Sequence, residues 1–151
     1  MMLAIAAVFL NGCGRPDTDV TSSPDYNFSS FAGTVWKTKV KIALEDVKQG
    51  GPHQTWLFTP DAFDPTDPKY RPVAGGTVIT VLPIGTRLRI GRLMKDNGNW
   101  GGVRVTATLE DGTYSQRTIY VNPELLATNR FVWNGWSAST NWGGDPDILE
   151  K

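Results

Sequence analysis

Residues 86–109, TRLRIGRLMKDNGNWGGVRVTATL, decide the fold class of this chain. Apolar and polar side chains alternate along 86–94 and again along 103–109, a pattern typical of strands with one buried and one solvated side. Asn97-Gly98 lies between these segments and favours a type I′ turn, because both residue types accept positive φ angles. The stretch therefore predicts an antiparallel β-hairpin, which we expect to be the most protected part of the domain.

Further strands are predicted downstream and upstream of this hairpin. Residues 77–82 are rich in β-branched side chains, and Asp111-Gly112 marks a second tight turn before a strand at 114–121. Residues 122–126 predict one helical turn, since they begin with an Asn cap followed by Pro at the first helical position. A last short strand is predicted at 130–133, before an irregular tail.

The first strand of the domain is predicted between residues 36 and 45, where apolarity again has a period of two. Residues 46–72 then contain a short apolar segment and a long proline-rich loop. Short antiparallel strands with tight turns and little helix predict an all-β domain, either a small barrel or a sandwich. In the first strand, Trp36, Thr38, Val40, Ile42 and Leu44 share the buried side, while Lys37, Lys39, Lys41 and Glu45 share the solvated side.

The stretch from Leu82 to Leu126 resembles a bacterial SH3-like barrel. The matching features are Pro83-Ile84-Gly85 before the hairpin, the two Gly-containing turns, and Tyr120-Val121 before the helical turn. The resemblance implies a small SH3-like barrel with an extra N-terminal strand and a Pro-rich insertion at 46–72. SH3-like barrels of the bacterial envelope commonly bind peptides or cell-wall material, so the resemblance also implies a binding or assembly module.

Residues 1–13, MMLAIAAVFLNGC, form an uncharged apolar run that ends at the chain's single cysteine, Cys13. The run is shorter than the ~20 residues that span a bilayer, and it fits the ~7–15-residue apolar region of a signal peptide. Its Leu-Asn-Gly-Cys ending resembles the lipobox of a bacterial lipoprotein. The resemblance implies cleavage before Cys13, acylation of that residue, and a lipid anchor in the cell envelope. Gly14 stands where inner-membrane lipoproteins carry Asp, which implies the periplasmic side of the outer membrane in a Gram-negative host.

An alternative is that residues 1–13 form a strand or helix of the domain, with Cys13 as a small buried side chain. The polar, proline-containing residues that follow favour the signal peptide, because their composition is typical of a flexible tether. The predicted organisation is a signal peptide at 1–12, a lipidated Cys with its tether at 13–32, and a single domain at 33–151.

Charge and cysteine content restrict the partners. Fifteen Lys and Arg residues balance fifteen Asp and Glu residues, so composition does not point to nucleic acid. One cysteine can form neither an internal disulfide nor a metal site built from several thiolates. The expected partners are a membrane, through Cys13, and a protein, peptide or cell-wall ligand, and no cofactor is expected.

Catalytic and metal-binding motifs are sparse. His53 is the only histidine, so the usual zinc site with two or three imidazoles cannot form, and we interpret it as a loop residue. Asp61, Asp64 and Asp67 recur every third residue but lack the alternate spacing and final Glu of an EF-hand. The Glu110-Asp111 pair would point to opposite sides of a strand and makes a poor acid–base pair. We predict no metal site and no enzymatic activity.

Aromatic side chains are the remaining candidates for function, because flat rings bind peptide prolines and sugars. Trp100 and Tyr114 each follow one of the two tight turns, so in a meander they lie at opposite ends of the strands. We predict a binding groove marked by Trp100, Tyr114 and Trp136. Two alternatives stay open: a carbohydrate-binding accessory domain that uses Trp136 and Trp142, and a hydrolase that uses His53 with loop carboxylates.

Overall fold

The structure is a computed structural model. It describes residues 16–47, 54–58, 66, 68, 72, 76–97, 102–121, 126, 142–144 and 146–151. No helix in this part of the chain is long and apolar enough to cross a membrane. The strands are β1 (Thr18–Asp19), β2 (Val35–Thr38), β3 (Ile42–Val47), β4 (Gln54–Phe58), β5 (Thr77–Leu82), β6 (Arg87–Lys95), β7 (Val103–Leu109), β8 (Thr118–Val121) and β9 (Leu149–Glu150).

The strands form a single hydrogen-bonded sheet. Its order is β5-β3-β4-β8-β7-β6-β2-β9, and β1 pairs with β6. β4 and β8 run parallel, whereas the remaining pairs of these strands are antiparallel.

The sheet curls because the chain bends between β2 and β3 and again between β5 and β6. Residues 39–41 separate β2 from β3, and residues 83–86 separate β5 from β6. β2 pairs with β6 and β3 pairs with β5, so the two segments run side by side before and after the bend. Buried Thr38 joins them there, because its hydroxyl donates to the Pro83 carbonyl and accepts from the Thr86 amide, both at 3.1 Å. The fold is a small all-β, barrel-like domain, which confirms the predicted class.

The predicted hairpin supplies much of the core. β6 and β7 pair from Leu88 with Leu109 to Lys95 with Val103. The alternation predicted the inward side of both strands correctly. The buried side chains of this hairpin are Leu88, Ile90, Leu93, Val105, Ala107 and Leu109, and they pack with Leu44, Ile119, Val121 and Leu126.

The connection of this hairpin differs from the prediction. A two-residue turn at Asn97-Gly98 would place Asp96 opposite Asn99. Instead, the Asp96 amide donates to the Gly102 carbonyl at 2.8 Å. The hairpin is therefore confirmed, but the predicted two-residue turn is wrong, because this register requires a longer connection.

β3 also differs from the predicted half-buried strand. The lysines at 37, 39 and 41 are exposed as predicted, but Glu45 is completely buried. Four consecutive side chains, from Ile42 to Glu45, are buried, so both sides of β3 are covered. The prediction that Glu45 faces solvent is wrong, because alternation separates the two sides of a strand without showing what packs over the polar one.

Both ends of the described chain pack against the sheet. β1 pairs with the last two residues of β6, and Phe28 and Phe31 are 0% and 5% exposed. Residues 16–32 thus belong to the packed domain, whereas their composition predicts a flexible tether. At the other end β9 pairs with β2, in a tail for which the sequence predicts no regular structure.

Some predicted elements lie outside the described residues. They are the signal peptide at 1–12, the helical turn at 122–126 apart from Leu126, and the strand at 130–133. In the 46–72 region, β4 is the short strand predicted there, and most of the proline-rich loop is not described. The SH3-like assignment stays a prediction.

Candidate functional site

One residue of the predicted groove falls within the described part of the chain. Cys13, Trp100 and Trp136 lie outside it. Tyr114 lies in the 110–117 connection between β7 and β8, where its ring packs against the edge of the core. The groove itself therefore stays a prediction.

The 110–117 connection is held by local hydrogen bonds. Gly112 has a φ of 85°, a region that glycine adopts without strain. Its carbonyl accepts from the Ser115 amide at 3.0 Å. The Arg117 guanidinium lies 5.8 Å from the centroid of the Tyr114 ring, within the range of a cation–π contact. Tyr114 is thus fixed in a connection wider than the predicted tight turn.

Three chain segments meet at the end of the barrel that carries Tyr114. The Glu110 amide donates to the Arg87 carbonyl at 3.0 Å. Lys37 pairs with Arg87 on one side and with Glu150 on the other. We call this end of the barrel the distal end; it consists of residues 83–86, 110–117 and 146–151.

Two arginines of β6, next to the distal end, share the Glu110 carboxylate. Arg87 Nη2 lies 2.9 Å from Glu110 Oε2, and Arg89 Nη2 contacts Glu110 Oε1. The arginine side chains are 47% and 51% exposed, against 17% for Glu110. Two guanidinium groups on one carboxylate leave one positive charge in excess. Exposed ion pairs contribute only about 0–1 kcal/mol, so the Arg87 guanidinium can turn to an incoming carboxylate or phosphate. Arg89 is held more firmly, because its Nη1 also donates to the Gly33 carbonyl at 3.2 Å.

Ile84 adds an apolar contact at the same end. It is 64% exposed, and it is the one large hydrophobic side chain exposed among the described residues. It lies in the 83–86 turn, where Gly85 has a φ of 87° and donates its amide to the Thr38 carbonyl at 2.7 Å. Arginine and tyrosine, the other residue types at this end, are enriched in protein-binding hot spots.

A second charged group lies at the opposite end of β6 and β7. Arg104 Nη2 lies 2.6 Å from Asp96 Oδ2, and Arg104 Nη1 lies 3.7 Å from Asp17 Oδ2. The three side chains are 18%, 9% and 23% exposed. The Arg104 guanidinium is held between two carboxylates, so the group fastens residue 17 to β7.

The tryptophan rings that the structure describes are used in packing. Trp142 meets Phe28 edge to face with centroids 4.7 Å apart, and it stacks on Phe31 at 6.2 Å. Its Nε1–H donates to the Tyr26 carbonyl at 2.6 Å. Trp36 contacts Phe31 at 5.6 Å. The carbohydrate interpretation needs a free Trp142 face, and these contacts occupy the ring.

The histidine of the hydrolase interpretation and the three regularly spaced aspartates lie outside the described part of the chain. These are His53, Asp61, Asp64 and Asp67. Among the described residues, no group of three or more His, Cys, Asp or Glu side chains is placed to hold a metal ion. Every buried side-chain nitrogen and oxygen there has a hydrogen-bond partner, so the buried Glu45 is a satisfied interior carboxylate.

No family model, no curated protein and no solved structure matches this chain significantly.

Sequence reasoning placed Arg87 and Arg89 on the solvated side of a strand but did not assign them to a site. It also treated Glu110 only as a poor catalytic partner for Asp111. The available signal was the position of Glu110 directly after β7, which puts it opposite the start of β6 in a hairpin. That signal becomes usable only once the register is known, because a shift of one residue moves side chains to the other side of the sheet.

Proposed function

We propose that the protein is a lipid-anchored module of the bacterial cell envelope that binds a peptide, protein or cell-wall ligand and catalyses no reaction. The observation that carries the proposal is the apolar run ending in Leu-Asn-Gly-Cys, followed within three residues by chain that packs on a small barrel. Such an arrangement needs no further element to hold a small domain at a membrane. Acyl chains on Cys13 supply the attachment, at ~0.8 kcal/mol per buried methylene.

Binding is assigned to the distal end together with the predicted aromatic residues. Ile84, the arginines on Glu110 and the Tyr114 ring offer apolar, cationic and aromatic contacts at one end of the barrel. This chemistry fits a segment that carries carboxylates beside apolar side chains. Trp100 and Trp136 remain proposed contributors from the sequence.

Lipidation is tested by mass spectrometry of the full chain extracted from bacterial membranes. We expect a mature protein that starts at Cys13 and carries acyl mass on that residue. The matched control is Cys13→Ala, which should remain uncleaved and lose the acyl mass. Recovery of the unsubstituted protein with Met1 in place and no acyl group would refute the anchor.

Binding is tested by a photocrosslinking amino acid placed at Ile84 of the anchored protein in cells. The matched control position is Ser22, which is also exposed but lies outside the distal end. We expect a discrete adduct from position 84 that is absent from position 22. Equal adduct patterns at the two positions would contradict the assignment of binding to the distal end.

The predicted aromatic residues are tested in the same assay. Trp100→Ala and Trp136→Ala should each reduce the adduct yield while the domain stays folded, as expected for exposed anchors worth ~2 kcal/mol. Unfolding of both variants would show that these side chains belong to the core instead.

A further inference from the structure

The N-terminal segment is fastened to one end of the barrel. Thr18 pairs with Lys95 and Asp19 pairs with Met94. The Asn97 side-chain amide donates to the Pro16 carbonyl at 2.6 Å and to the Thr18 hydroxyl at 2.7 Å. The chain is therefore held from Pro16 onward. We call this end of the barrel the proximal end; it consists of residues 16–19, 94–97 and 102–104.

The fastening continues beyond the edge of the sheet. The Val20 amide donates to the Leu93 carbonyl at 2.9 Å. The Leu93 amide donates to the Thr21 hydroxyl at 3.0 Å, and Arg104 lies between Asp17 and Asp96 as described above. Contacts from backbone, hydroxyl and charged groups hold the segment, so its direction does not depend on any single contact.

Covalent geometry then limits the distance to the anchor. Cys13 precedes Pro16 by three residues, and extended chain spans at most about 3.6 Å per residue, or about 11 Å in total. Along β6, Arg87 and Lys95 are eight residues apart, which corresponds to about 26 Å at 3.3 Å per residue. The distance between the anchor and the proximal end is therefore smaller than the length of the barrel.

We propose that the proximal end lies against the lipid headgroups of the membrane and that the distal end points away from it. This inference rests on the proposed acylation of Cys13. With so short a link, the membrane-bound domain has one preferred orientation. Because strands tilt by about 35–45° in a barrel, the distal end then stands roughly 20 Å from the bilayer surface. A partner in the aqueous space then meets Ile84 and the arginine pair without competition from the membrane.

The link, and not electrostatic attraction, sets this orientation. Arg92, Lys95 and Arg104 at or next to the proximal end are balanced by three aspartates, at 17, 19 and 96, and the link adds the single cation Arg15. A neutral face gains little from anionic lipid, whereas a polybasic face gains about 1 kcal/mol per cation. The orientation should therefore be the same on neutral and anionic vesicles and should not change with salt.

The experiment uses the acylated protein in phosphatidylcholine vesicles that contain a headgroup-linked quencher. Cys13 is the only cysteine, and acylation blocks it, so one introduced cysteine gives a single labelling site. We compare a fluorophore on Lys95→Cys at the proximal end with the same fluorophore on Ile84→Cys at the distal end. We expect at least threefold stronger quenching at position 95, with no change when anionic lipid or salt is added.

A spacer variant provides the control for orientation. Twenty Gly and Ser residues inserted between Arg15 and Pro16 add a flexible link of about 25 Å root-mean-square length. The difference in quenching between the two positions should then be lost, while the protein still floats with the vesicles.

The outcomes separate the inference from the proposed function. Protein that fails to float with vesicles and lacks acyl mass overturns the lipid anchor, and the orientation with it. Protein that floats but is quenched equally at the two positions overturns the orientation alone. Stronger quenching at position 95 that appears only with anionic lipid would show an electrostatic contact and would also overturn the inference.

Discussion

Phe28→Ala is the sharpest test of whether residues 16–32 are part of the folded domain. Phe28 is 0% exposed and packs edge to face on Trp142 at 4.7 Å and on Phe31 at 5.6 Å. Truncation of a buried phenylalanine costs about 3–5 kcal/mol, since transfer and cavity terms add. With a urea m-value of about 2 kcal/mol/M, the unfolding midpoint should fall by about 2 M. A domain of this size has only about 5–15 kcal/mol to lose.

The matched control for this measurement is Ile84→Ala, which removes an exposed aliphatic side chain. It should change the free energy of unfolding by less than about 0.5 kcal/mol. Both variants are compared in the same soluble form of the chain, by tryptophan fluorescence and far-ultraviolet circular dichroism. If Phe28→Ala shifts the midpoint no more than the control does, residues 16–32 are a tether and the packing argument is refuted.

Three further predictions concern single contacts. Gly91→Ala should destabilise by about 1–3 kcal/mol in the same unfolding assay, because an added Cβ would lie 2.6 Å from the Thr106 hydroxyl oxygen; an unchanged midpoint would show that the irregular pairing with β7 between Ile90 and Leu93 relaxes freely. Thr38→Val should cost about 1–2 kcal/mol, because the hydroxyl's hydrogen bonds to the Pro83 carbonyl and from the Thr86 amide are lost, while that amide keeps a longer one to the Pro83 carbonyl at 3.3 Å; Thr38→Ser should restore most of the loss. Hydrogen bonds from Thr21 hold the pKa of Asp19 below its ordinary value, with a smaller contribution from an arginine. The associated stability is therefore complete above the ordinary pKa and is lost as the pH falls through the lowered one; an NMR titration of Asp19 with an ordinary midpoint would contradict this.

The sequence was sufficient for the central hairpin and for the class of the fold. β5, β6 and β7 lie within about one residue of their predicted positions. Their side chains alternate because one side of the sheet faces the core and the other faces water. In β6 the arginines at 87 and 89 are exposed while Leu88 and Ile90 are buried. The local alternation was therefore enough to predict which side of the strand is buried.

The rest of the fold depends on contacts between distant parts of the chain. β1 and β9 have two residues each, too few for any periodicity to appear. The parallel pairing of β4 with β8 joins Trp56 to Tyr120, and no local pattern indicates such a partner. Glu45 is a further example. A charged residue in an alternating strand predicts a side that faces solvent, but in the structure Glu45 is buried.

The aromatic residues show why the candidate site was only partly predictable. Composition shows that this short chain has six tryptophans, but it does not show which rings are buried. In the structure Phe28, Phe31 and Trp142 form one cluster. This cluster joins the N-terminal segment to a residue near the C-terminus. Gly144 extends the contact, because an added Cβ would lie 2.7 Å from the Trp36 ring. These rings therefore hold the two ends of the described chain on the barrel, which is a structural role that composition alone does not separate from binding.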